Sequence, residues 1–172
     1  MDQTPASEIL WQNLLRQRKA PLLDAWYCRI LDAYPAETAS FLKKQADRFS
    51  NPVAHALWES AEAIFKALLD GVEADAEALG YAMKIRALQG NDPREGISFI
   101  YLLKDTLTEN LGGSLSEMDW IEIGSRLDRI AAAGREMFLA DRAKIAELAA
   151  RTAPSADGAG APSAQKQSFE VL

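Results

Sequence analysis

Apolar positions recur along most of this chain in steps of three and four, the period of a helix with one face turned inward. Leu23, Trp26, Tyr27, Ile30 and Tyr34 stand at i, i+3, i+4, i+7 and i+11. Pro21 sits in the first turn of that segment and Pro35 ends it. A first helix is expected from about Ser7 to Arg18, and a short third one through Phe41 and Leu42. Asn51-Pro52 reads as an N-cap and first helical residue, opening a fourth helix that reaches Asp70 and stops at Gly71. A fifth covers about Ala74 to Gln89 and ends at Gly90.

Asp92, Pro93 and Glu95 supply a cap, a first-turn proline and a capping-box acid for the sixth helix. Its stripe is Ile97, Phe99, Ile100, Leu103 and Leu107, and Gly112-Gly113 marks its end. Ser114-Leu115-Ser116-Glu117 reads as a second capping box, opening a seventh helix as far as Arg151. That helix would be roughly 50 Å long. Trp120, Ile123, Leu127, Ile130, Met137, Ile145 and Leu148 follow a near-heptad spacing that Gly134 and Asp141 interrupt. One small core rarely covers such a length, so packing against a second copy is expected. The other reading is a helix kinked at Gly134 and lying on its own domain.

Composition supports this all-α picture. Valine occurs only at Val53, Val72 and Val171, which leaves little material for strands. Hydrophobic residues form 48% of the 172, enough for one domain with a proper core. From residue 153 to 172 the sequence APSADGAGAPSAQKQSFEVL is dominated by Ala, Gly, Pro and Ser. We therefore expect a helical domain over 1–152 and a disordered tail over 153–172. The closing FEVL is either a short docking motif or a frayed end.

A net charge of −6 argues against a nucleic-acid or anionic-membrane partner, each of which needs a basic face. No apolar run approaches a membrane span, and MDQTPASEIL lacks the features of a secretory signal. With a single cysteine, Cys28, these features suggest a cytoplasmic protein.

Candidate chemistry is sparse. His55 is the sole histidine, and the helical wheel puts it with Glu59, Glu62 and Lys66, opposite Val53, Leu57, Ala61, Ile64 and Leu68. It reads as a rim histidine, or else as a ligand in a pocket or interface. No catalytic residues are assigned, and no metal or cofactor is expected: zinc needs several Cys or His ligands, and no nucleophile-base pair can be argued. Two polar features stand out, Asp47-Arg48 before the Asn51 cap and Lys84-Ile-Arg86-Ala-Leu-Gln89. Gln89 falls with Ala78, Ala82 and Ile85, flanked by Arg86. The pair either satisfies helix-end carbonyls or lines a ligand or partner pocket. The candidate binding set is thus Asp47, Arg48, Asn51, His55, Arg86 and Gln89.

DRFSNPVAHAL and KIRALQGNDPREGISFIYLLKDTL together resemble the N-terminal sensor domain of the RsbR-type co-antagonists of the bacterial stressosome, in the RsbRD subgroup. The matching residues are Asp47, Arg48, Phe49, Asn51, Pro52, Arg86, Gln89, Pro93, Phe99 and Lys104. The likeness extends more weakly from about Leu14 to Leu148. It implies a globin-like or related bundle of about seven helices without haem, often dimeric and not enzymatic. In that family a STAS domain usually follows; none is read in this sequence, and Ala54 stands where the family favours Gly. The resulting expectation is a stress-response or other signalling module, sensor or adaptor, acting on a protein partner such as a STAS-domain protein, with or without a small ligand. The alternative is a globin-like protein binding haem or another cofactor for gas sensing or electron transfer.

Overall fold

The computed structural model describes residues 6–44, 51–90 and 92–152. Asp47, Arg48 and the tail beyond residue 152 lie outside the described residues. Among the described residues, seven α-helices and one 3-10 turn follow in order: α1 Ala6–Gln17, α2 Lys19–Asp32, α3 Ala36–Lys44, α4 Pro52–Asp70, α5 Ala76–Leu88, α6 Pro93–Leu111, the turn Gly112–Ser114, and α7 Glu117–Thr152. The molecule is an all-α bundle with a long C-terminal helix. No helix among the described residues is long and apolar enough to cross a membrane.

Local chemistry explains most of the boundaries. Asn51 Oδ1 accepts from the Ala54 N–H at 3.0 Å, with Pro52 at the first helical position. Gly71 ends α4 in the left-handed region at φ 67°, where its N–H reaches the Ala67 carbonyl at 2.9 Å. Asp92 accepts from the Arg94 and Glu95 N–H groups, and Glu95 returns a bond to the Asp92 N–H. That capping box holds its carboxyl below the usual aspartate range. The box opening α7 lies two residues later than its sequence suggested. Ser116 and Asp119 exchange the bonds, at 3.2 Å to the Asp119 N–H and 2.8 Å from the Ser116 N–H. Gly112–Ser114 is taken up by the 3-10 turn, which displaces the start of the helix.

α4 is the central helix and is buried on most sides, with Leu57, Ala61, Ile64, Phe65 and Leu68 all inside. α7 packs on α5 and α6, and α2 packs on α6. Trp11, Trp26, Phe65, Phe99 and Phe138 are the largest wholly buried side chains. The Trp26 indole donates to the Phe99 carbonyl at 2.8 Å, fastening α2 to α6 inside the core.

Gly134 does not interrupt α7, which continues through it. The residue is buried where three helices meet: a Cβ there would lie 3.3 Å from Met83 Sδ and 3.5 Å from Ile100 Cδ1. Gly96 on α6 does the same for Phe138, whose ring a Cβ would approach to 2.6 Å. Close approach of helices, not a kink, is the reason for glycine at both positions.

Candidate functional site

α5 is turned differently from its sequence reading. Its inner side is Leu79, Ala82, Met83, Arg86 and Ala87, whereas Ile85 is half-buried and Gln89 exposed. Arg86, expected only to flank the inner face, is the residue that points inward. The cause is weak amphipathicity: alanine and apolar residues surround this short helix, so its wheel hardly fixes an orientation. The long arginine stem then fits among apolar neighbours.

Arg86 is 7% exposed and lies against two rings. Its guanidinium carbon is 5.0 Å from the centroid of Tyr34 and 5.3 Å from that of Phe99. Nε and Nη2 are both buried and donate to no partner among the described residues. Burial lowers the pKa of the group, with Tyr34 opposing the shift in part. Tyr34 lies just past the end of α2, held by its N–H to the Leu31 carbonyl at 3.1 Å. Its hydroxyl faces Gln89 Oε1 at 3.4 Å. The C-terminal ends of α2 and α5 and the body of α6 thus bring Tyr34, Arg86, Gln89 and Phe99 together.

Arg126, missed by the sequence reading, shows what a furnished buried arginine looks like in the same bundle. It is also 7% exposed. Its Nε donates to Glu122 at 2.6 Å, and Nη1 donates to the carbonyls of Leu68 and Leu69 at 3.0 and 3.2 Å. The Trp11 ring lies 5.1 Å from its guanidinium carbon. It closes the C-terminal end of α4, where helix carbonyls lack partners. One signal was available: Arg126 follows Ile123 by three residues, on the inner stripe of α7.

The remaining candidates lie elsewhere. Asn51 is buried, and besides its cap it donates to the Leu42 carbonyl at 3.5 Å, so its polar groups hold backbone. His55 stands at the rim, as the wheel suggested, with Nε2 3.1 Å from Glu59 Oε1 but without hydrogen-bond geometry. It borders a hollow of about 690 Å³ between the starts of α4 and α5, which Glu59, Asp75, Glu77 and Tyr81 also line. Three carboxylates make that hollow polar, and Asp75 is already engaged in capping α5 through the Ala78 N–H at 2.9 Å. Among the described residues no group of His, Cys, Asp and Glu is placed to hold a metal ion together.

No family model, no curated protein and no solved structure matches this chain. The likeness to the stressosome co-antagonists therefore rests on the two quoted motifs.

Proposed function

We propose that this chain is a non-enzymatic signalling module, sensor or adaptor, that acts through protein–protein contacts made by the far end of α7. The observation carrying this reading is that the inner stripe of α7 outruns the bundle. At 36 residues α7 is about 54 Å long, against about 28 Å for α6 and about 20 Å for α5. Phe138 is wholly buried, Ile145 only partly, and Leu148 on the same stripe is 60% exposed. An apolar stripe continued past its own core is what a helix carries when a second helix completes its packing.

The stressosome-like motifs supply the rest of the reading: a homodimeric, cytoplasmic module whose partner is a STAS-domain or other signalling protein. A change in packing inside the bundle would reach the partner through α7, which touches α1, α4, α5 and α6. An effector shifts such a packing equilibrium only by its difference in affinity for the two states.

A native mass spectrum with light scattering tests the proposal. The expected species is twice 18.9 kDa without added mass, and Leu148→Glu should give the single chain with unchanged helix content. A single chain at all concentrations overturns the dimer. A retained haem overturns the module in favour of a cofactor protein.

A further inference from the structure

We infer that the Arg86 corner is a binding site for a small monocarboxylate, gripped by the Nε and Nη2 edge of the guanidinium. The inference deepens the sensor reading, on which it rests only for the ligand's role as a signal.

Two features of the same side chain support it. The first is the unmet demand of the side chain itself. Arginine is among the residue types most rarely buried without a partner. Removing its charge from water is strongly unfavourable unless a counter-charge and hydrogen bonds replace the lost hydration. Arg126 meets that requirement with a carboxylate and two carbonyls, whereas Arg86 has, among the described residues, only ring faces. The guanidinium carbon lies over both rings, and ring contacts of this kind supply no carboxylate or carbonyl oxygen to Nε and Nη2.

The second is which nitrogens lack partners. Nε and Nη2 form one edge of the planar group, and their two N–H bonds run parallel, matching the two oxygens of a carboxylate. A random packing defect has no reason to spare both donors of one edge. The rim adds hydrogen-bonding groups, since the Tyr34 hydroxyl and the Gln89 amide stand beside the arginine at the surface end of the cluster.

The chemistry of the corner sets the ligand class. One guanidinium balances one negative charge, and the chain as a whole carries −6, which repels polyanions. Tyr34 and Phe99 favour an apolar or aromatic body behind the carboxylate. An aromatic or short aliphatic monocarboxylate fits these terms better than phosphate, a nucleotide or a dicarboxylate. Because both donors are buried, entry requires the side chains that cover them to move aside. Binding would thereby reset the junction of α2, α5 and α6, and α5 is the helix that packs most extensively on α7.

The test is titration of the full chain with sodium benzoate and sodium acetate, at constant ionic strength, followed by calorimetry and thermal melting. Inorganic phosphate and succinate serve as comparison anions. Saturable binding of a monocarboxylate is expected, weakened about 30-fold or more by Arg86→Met and less by Arg86→Lys. Ligand-free Arg86→Met should melt at or above the wild-type temperature, because methionine fills the space without an unpaired charge. Equal responses from wild type and Arg86→Met overturn the site. So does a wild type that binds no monocarboxylate while Arg86→Met melts below it, which would assign the edge a structural role. Failure here leaves the α7 dimer standing, since its mass is read without ligand; loss of the dimer leaves the titration standing.

Discussion

Arg86 and Arg126 are both withdrawn from water, yet only Arg126 meets a carboxylate and carbonyl oxygens. Such differences between single side chains set the sharpest expectations. Asn51 combines a helix cap with burial, so Asn51→Ala should lower stability by about 1–2 kcal/mol, read as a shift in the urea midpoint. Tyr27 donates to the Ala54 carbonyl at 2.7 Å and packs edge-on against Trp58. Its pKa is pushed up from 10.0 to about 12, chiefly by burial and then by Tyr34 and Cys28. The folded chain thus keeps a proton that the unfolded chain releases near pH 10. The stability linked to this group is complete below pH 10 and declines as pH rises towards 12. Urea midpoints across that range should fall for the wild type, and Tyr27→Phe should remove this part of the fall.

The helices of this bundle meet through glycine where their axes come close. Gly96→Ala would drive a methyl into the Phe138 ring, which is wholly buried and cannot swing away. Overpacking of this kind costs about 1–3 kcal/mol, more than the roughly 1 kcal/mol that alanine adds to helix propensity. Net destabilisation is expected, visible as a lower melting temperature. Gly134 faces Met83 Sδ at 3.3 Å, a flexible neighbour, so Gly134→Ala should be the milder of the two. Helix ends were largely legible in the residues, because caps are local. Asn51-Pro52, Gly71 and Asp92-Pro93-Glu95 all act where the sequence placed them. The start of α7 was misread by two residues because two nearby serines, Ser114 and Ser116, each have an acid three residues on. The Gly112–Ser114 turn selects the second pair.

The far end of α7 carries the consequence for assembly. Beyond Arg142 the helix has only Ile145 partly covered, although Arg142 still donates to the Ala87 carbonyl at 3.3 Å. If a partner helix covers the overhang, amide exchange from residues 146 to 152 should slow as protein concentration rises through the dimerisation range. In Leu148→Glu it should stay fast at every concentration. Because α5 carries Arg86 and packs on α7, a monocarboxylate that occupies the corner should also alter exchange along α7. That change should be absent in Arg86→Met.

By itself the sequence determined the helical class, the number of helices and nearly all their ends, since periodicity and capping depend on residues within a few positions of each other. It also placed His55 on the rim, because α4 has a clear apolar face to measure against. Only the tertiary structure decided which way α5 turns. Apolar on almost every side, that helix takes its orientation from α4, α6 and α7, and their packing sends Arg86 inward while leaving Gln89 exposed. The same packing brings Tyr34 and Phe99, separated by 65 positions in the chain, against one guanidinium. Local residues fix where a helix begins and ends, but which of its sides is buried depends on neighbours that only folding supplies.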